Sequence, residues 1–161
     1  MDGPDGADME LVMYGDFQCP YCAAAYPIVF RVRERLKGRL LFAFRHFPLR
    51  DIHPDAQRAA EAAEAAGAQG AFWPMHDRIY ESRGALDAKS LLTHGIELGL
   101  DAGRFASELK DEVHAPRVQR DVDSGEASGV TGTPAFFING KPHTTAFDAG
   151  SLIAALEGQE G

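Results

Sequence analysis

Apolar positions change their period several times along the chain, and each change predicts an element. Residues 10–14, "ELVMY", form a short apolar run that ends at Gly15 and predicts a buried strand. Ala25, Ile28, Val29, Val32 and Leu36 then recur at helical spacing until Gly38, which predicts a helix. Pro27 falls inside it, where a proline frees the carbonyl of Ala23 and is expected to kink the axis. Residues 40–44, "LLFAF", are continuously apolar and predict a second strand covered on both faces. Two such strands joined through a helix imply a right-handed βαβ unit with a parallel pair.

From His53 to about Ser128 the pattern turns helical and rich in Ala, Glu and Asp, with few β-branched residues. It predicts helices near 54–66, 70–82, 88–99, 102–112 and 115–127, punctuated by Gly67, Gly84 and Gly99. Asp87 and Asp101 stand where N-caps are needed. No repeat of fixed period is present. Strand character returns at "AFFI", 135–138, and Asn139-Gly140 behind it is a strong hairpin signal. The following strand, about 141–147, contains Pro142, which suits an edge position. A helix over about 150–157 closes the chain. The order is β-α-β, a helical block, then β-β-α: an α/β plan with an all-helical insertion.

Composition narrows what such a fold does. With 161 residues, 45% hydrophobic and 25% charged, the chain fits one domain with a real core. A net charge of −8 argues against nucleic acid or an anionic membrane as partner, since both want clustered Lys and Arg. No apolar run reaches the length of a membrane span. The start, "MDGPDGADM", has neither the basic beginning nor the apolar core of a secretory signal. A native start at Met1 implies a cytoplasmic chain; a removed leader would imply a periplasmic or other extracytoplasmic one.

The chain has two cysteines, Cys19 and Cys22, in "FQCPYCAAAYP". A bridge across so small a loop stabilises a fold little, so a structural disulfide is a weak reading. The pair falls after a predicted strand, at the first turn of a predicted helix. Pro20 suits the first helical position, which puts Cys19 at the N-cap, facing the free N–H groups of Tyr21 and Cys22. Those donors and the helix dipole favour a thiolate on Cys19, while Cys22, one turn along, is placed to resolve a mixed disulfide. The rival is a zinc half-site. It needs two further ligands, and the histidines at 46, 53, 76, 94, 114 and 143 show no ligand spacing.

"YGDFQCPYC" (14–22), "FRHFPL" (44–49), "AFWPMHD" (71–77) and "GVTGTPAFFING" (129–140) together resemble the DsbA-type thioredoxin-fold thiol–disulfide oxidoreductases. The resemblance is especially close to bacterial DsbA-like proteins, including domains appended to sodium/proton antiporters. It implies one thioredoxin-fold domain over 9–157, with a core of about 9–52 and 129–157 and a helical insertion of about 53–128. It also implies catalysis by Cys19 and Cys22 as a redox-active disulfide. Substrate would bind along Pro20, Tyr21, Thr133 and Pro134, with Pro134 cis beside the sulfurs and Thr133 offering its backbone to an extended peptide. The expected partners are protein or peptide thiols and disulfides, plus a recycling redox partner; no cofactor and no metal are needed. DsbA carries Pro-His between its cysteines, whereas Pro20-Tyr21 is the glutaredoxin dipeptide. Many thioredoxin-fold enzymes place a buried carboxylate where this chain has Met13, and Asp16 reads as a turn residue. These departures lead to an expected redox potential between those of thioredoxin and DsbA.

Other polar and aromatic residues receive structural readings. His46 is read as a local hydrogen-bond partner at a strand end and His53 as part of a turn before Pro54. Phe72 and Trp73 are read as packing of the helical insertion, and the acidic run Asp121–Asp123 as solvated helix surface. Two alternatives to an oxidoreductase of protein thiols remain: a redox-sensing or metal-binding module, and a glutathione-linked reductase suggested by Pro-Tyr.

Overall fold

The computed structural model describes residues 1–82 and 84–158. The first predicted strand forms as β1 (Met9–Gly15) and, after helix α1 (Pro20–Arg35), the second as β2 (Leu40–His46). The two are parallel, in register from Met9 opposite Leu40 to Gly15 opposite His46. Five helices follow: α2 (Ala56–Gly67), α3 (Phe72–Glu81), α4 (Ala88–Glu97), α5 (Ala102–Lys110) and α6 (Ala115–Ala127). The chain then returns as β3 (Ala135–Ile138), β4 (Lys141–His143) and α7 (Ala149–Gly158). The sheet order is β2-β1-β3-β4, with β3 antiparallel to both β1 and β4, so β4 and its Pro142 form an edge.

Alternation along β1 explains why both sheet faces are covered. Met9, Leu11 and Met13 face a large core shared with Val29 and Val32 of α1, the alanines of α2, Met75 and Ile79 of α3, and Leu152 and Leu156 of α7. Val12 and Tyr14 face the opposite way, toward Phe47, Val122 of α6 and Val130. Helix α1 buries Cys22, Ala25, Val29 and Val32, a stripe at helical spacing, and runs unbroken through Pro27. In α2 seven alanines are buried, and their small side chains let α3, α5 and α6 pack closely around it. Trp73 lies 5.6 Å from Phe42 and Phe72 lies 6.5 Å from Phe44, so both rings fasten the helical segment to β2.

Local signals set most boundaries. The Asp87 and Asp101 carboxylates accept hydrogen bonds from the N–H groups of Ser90 (3.3 Å) and Arg104 (3.0 Å), as N-caps do. Helices α4 and α5 end two residues before the expected 99 and 112, because the backbone turns left-handed at Gly99 (φ 80°) and Glu112 (φ 53°). Asn139 (φ 49°) and Gly140 (φ 82°) give the two positive φ angles of a type I′ hairpin. The Asn139 side chain also accepts the Glu10 N–H at 2.8 Å, tying the hairpin to β1. Strand β4 is shorter than the expected 141–147. After His143 the chain folds back, and the imidazole Nε2 meets the Ala146 carbonyl at 3.0 Å.

The acidic run in α6 is only partly solvated surface. Asp123 is exposed and bonds Gln119, whereas Asp121 is 6% exposed and docks α6 onto the end of β2. One Asp121 oxygen accepts the His46 N–H at 3.0 Å and the other accepts Arg117 at 2.6 Å. An acidic helix position reads as solvated until its partner, 75 residues away in sequence, is known. Asp121→Ala leaves a buried N–H without an acceptor, which costs about 1–3 kcal/mol. Urea denaturation should show that loss, whereas Asp123→Ala should stay within about 0.5 kcal/mol of the wild type.

Candidate redox-active site

β1 stops at Gly15, and residues 16–19 turn the chain into α1. Cys19 takes the N-cap position with extended backbone (φ −71°, ψ 123°), and Pro20 is the first helical residue. The turn is fixed by Asp16, whose role as a mere turn residue is corrected here: it is 1% exposed and its carboxylate meets four donors. Oδ1 accepts the N–H groups of Gln18 (2.7 Å) and Cys19 (3.1 Å). Oδ2 accepts the Leu49 N–H (2.9 Å) and the His53 Nδ1–H (2.8 Å). His53 thus stays in its turn before Pro54 and also pins the chain after β2 against the start of α1.

Sheet pairing brings the loop before β3 to the same place. The Thr133–Pro134 peptide is cis, and the Cys19 Sγ lies 3.7 Å from the Thr133 carbonyl oxygen, the contact its S–H makes while protonated. The Thr133 hydroxyl is buried beside the two sulfurs. Cys22 is fully buried, and its sulfur accepts the Asp16 N–H at 3.5 Å. Both cysteines are free thiols.

Their acidities diverge sharply. The Cys19 thiol is lowered to about 5, chiefly by a hydrogen bond from Cys22. Burial opposes this, while Thr133 and the N–H groups of Cys22 and Tyr21 at the start of α1 reinforce it. Cys22 moves strongly the other way, because it gives its hydrogen bond to Cys19 and is deeply buried. One sulfur is therefore a thiolate at neutral pH, and the other holds its proton.

Access follows the same asymmetry. Cys19 is 3% exposed and lies in the wall of a cavity of about 620 Å³, which Phe17, Pro20, Tyr26, Ile79 and Tyr80 also line. Pro20 is exposed beside it, and Tyr21 projects with 68% of its surface exposed. Pro134 lines a second groove, of about 480 Å³, together with Gly132, Phe136 and Phe147. His46 is buried behind the site, bonded through Nε2 to Glu64 at 2.8 Å, which makes it a local hydrogen-bond partner.

A family model described as Thioredoxin matches residues 2–157. The chain belongs to the thioredoxin family. Solved structures show which form of the fold it takes. Oxidised BdbD from Bacillus subtilis superposes with a TM-score of 0.87 at 20% identity, covering 98% of this chain and 90% of that one. The thiol-disulfide exchange protein α-DsbA2 from Wolbachia pipientis gives 0.83 at 20% identity, covering 98% and 85%. Among curated proteins, the Na(+)/H(+) antiporter NhaA 1 of Salinispora arenicola is 47% identical over 156 residues. Those residues are 96% of this chain and 24% of that protein. The NhaA of Herminiimonas arsenicoxydans is 39% identical over 155 residues, again 24% of its length. The chain thus spans about a quarter of the antiporters it matches.

Of the expected site residues, Cys19 meets Thr133 directly, Cys22 lies behind Cys19, Pro20 and Tyr21 are exposed beside them, and Pro134 lines the second groove. Met13 is 2% exposed and belongs to the core. Two contributors escape pattern reading, Asp16 and Tyr80. Asp16 had a legible signal: an Asp two and three residues before the N–H groups it accepts, just ahead of Pro at the first helical position. Tyr80 had none, since only the packing of α3 brings it here.

The reduced protein should alkylate at Cys19 alone, with a rate that is half-maximal near pH 5 and flat above neutrality. Mass spectrometry after timed iodoacetamide treatment checks this; faster labelling of Cys22 would contradict it. The folded value lies below that of an unfolded cysteine, so the Cys19 thiolate adds stability that is complete above about pH 9 and is lost as the pH falls through about 5. Relative to Cys19→Ser, the reduced protein should therefore melt progressively lower across that window.

Proposed function

We propose that this chain is a thiol–disulfide oxidoreductase that exchanges disulfides with protein or peptide thiols through Cys19 and Cys22. The observation that carries this reading is the opposed acidity of two touching sulfurs, one lowered to about 5 and one raised. A binding module has no use for such a division, whereas disulfide exchange needs a thiolate to attack and a protonated partner in reserve. The name of the Wolbachia neighbour, a thiol-disulfide exchange protein, supports the same reading.

In the reducing direction the Cys19 thiolate attacks a substrate disulfide, forms a Cys19–substrate bond and expels the other substrate sulfur as a thiolate. Cys22 then attacks Cys19, its proton passes to the departing substrate sulfur, and the Cys19–Cys22 disulfide forms. Two electrons have moved from the pair to the substrate. In the oxidising direction every bond change reverses. The electrons reside in the protein's own disulfide, so the exchange uses no bound cofactor, and a separate redox partner resets the pair.

Thr133 and Pro134 serve as the platform along which an extended substrate lies, with Pro20 and Tyr21 at its rim. Residues 9–157 act as the unit, the core segments 9–52 and 129–157 carrying the sulfurs and platform and the segment 53–128 walling the cavity. Among the described residues no three His, Cys, Asp or Glu side chains gather where they could hold an ion. Among the described residues, too, no helix is long and apolar enough to cross a membrane.

Two measurements test the proposal. Cys22→Ser should trap mixed disulfides with thiol-containing substrates, and Cys19→Ser should trap almost none. The potential should be intermediate, because an acidity of about 5 at Cys19 lies between those of thioredoxin, about 7, and DsbA, about 3.5. A more stable thiolate makes the disulfide more oxidising. A glutathione-buffered titration should thus place the couple between about −270 and −120 mV, nearer the glutaredoxin range of about −200 to −230 mV. A value at either end contradicts this expectation.

A further inference from the structure

We infer that Tyr80 is a positioning residue for the resolving sulfur, its hydroxyl donating a hydrogen bond to Cys22 when that sulfur carries negative charge. This inference rests on the disulfide-exchange reading above. Tyr80 comes from α3, far from the cysteines in sequence, and is 6% exposed. Its ring is held on several sides: stacked on Tyr26 (5.5 Å, 23°), 4.9 Å from Phe17 and 5.2 Å from His76. The missing side chain of Gly15 leaves room chiefly for the Phe44 ring, 2.5 Å from where a Cβ would stand, and also for the hydroxyl, 3.2 Å from it.

That hydroxyl donates to the Asp16 carbonyl at 3.4 Å, and the Asp16 N–H donates to the Cys22 sulfur at 3.5 Å. The Tyr80–Asp16 bond is long and therefore weak, which leaves the phenolic proton free for a stronger acceptor. Asp16 spans the hydroxyl and the Cys22 sulfur, its carbonyl on one and its N–H on the other, which makes that sulfur the neighbouring acceptor. Burial, with the neighbouring Cys22, Asp16 and Cys19 charges, drives the Tyr80 pKa well above the ordinary tyrosine value, so the phenol keeps its proton and acts as a donor. The Asp16 carboxylate is engaged by its four N–H partners, and it is the backbone of Asp16 that reaches Cys22.

Cys22 is the sulfur that needs such help, being buried and reluctant to ionise. In the resolving step the Cys22–H bond breaks, the Cys22–Cys19 bond forms, and the Cys19–substrate bond breaks. The substrate sulfur takes the electron pair and the proton. Charge on Cys22 is greatest as its proton departs, and in the reverse step as it leaves Cys19. In both cases the Tyr80 O–H turns from the Asp16 carbonyl to the sulfur, and its own proton never transfers.

The test uses the reduced protein and 5,5′-dithiobis(2-nitrobenzoate) in a stopped-flow instrument. Attack by Cys19 releases one coloured thiolate, and attack by Cys22 on the resulting mixed disulfide releases the second. Tyr80→Phe keeps the ring and removes the donor. Its first phase should stay within about twofold of the wild type, while its second slows about tenfold, the scale of one lost hydrogen bond to a charged group. An unchanged second phase, or equal slowing of both, would overturn the role of Tyr80. A wild-type protein that releases no second equivalent would instead overturn the exchange reading of the site, and this inference with it.

Discussion

The geometry of the two sulfurs depends on one buried carboxylate. A carboxylate removed from water is costly unless its lone pairs are filled, and Asp16 fills them with N–H groups from two separate stretches of chain. Two donors come from the turn into α1 and two from the segment after β2. The same residue gives its N–H to Cys22 and its carbonyl to the Tyr80 hydroxyl and the Cys19 N–H. The end of β1, the first turn of α1, the chain after β2 and helix α3 are thus held at one point. Loosen that point, and neither the N-cap position of Cys19 nor the depth of Cys22 is defined.

Within that frame the helix terminus is not the main source of the Cys19 thiolate. The N–H groups of Tyr21 and Cys22 contribute, yet the larger effect is the thiol of Cys22 donating to its neighbour. The pair makes its own asymmetry: the proton that stabilises charge on Cys19 is the one Cys22 is thereby less willing to release. In the proposed exchange, attack by Cys19 is favoured at the expense of resolution by Cys22. The role inferred for Tyr80, a donor to the second sulfur, would act on the slower half of that exchange.

What the sequence made legible divides by the distance to the partner. β1, β2, the five helices and the Asn139-Gly140 hairpin follow from periodicity and turn chemistry, which are local. The Asp87 and Asp101 caps were readable because each partner lies three residues away. The cysteine pair declared itself by spacing and by Pro20. Asp16 showed only its local half, the N–H groups two and three residues on, while Leu49 and His53 are set by packing; so are the partners of Asp121 and Tyr80, His46 and Asp16. A polar residue read along a sequence defaults to solvent, and an aromatic one to the core. Asp16 and Asp121 break that default, while Tyr80 keeps to the core and carries there a hydroxyl whose partner no pattern shows. The overlong estimate for β4 has the same origin, since the fold-back after His143 leaves no mark in the apolar pattern.

The helical segment between β2 and β3 is therefore part of the site as well as a cover over the sheet. Its α3 supplies Ile79 and Tyr80 to the cavity beside Cys19, while Thr133, from beyond the segment, approaches the same sulfur through its carbonyl. Cys19 is bounded by two stretches that only tertiary structure brings together. Phe72 and Trp73 clamp α3 to β2, Asp121 clamps α6 to the end of that strand, and the alanines of α2 let both helices approach closely. A change that loosens α2 need not touch a sulfur to be felt there: it lets α3 shift, and with it the hydroxyl that faces Cys22. Stability of the helical segment and the reactivity of the second cysteine are in this way two readings of one packing arrangement.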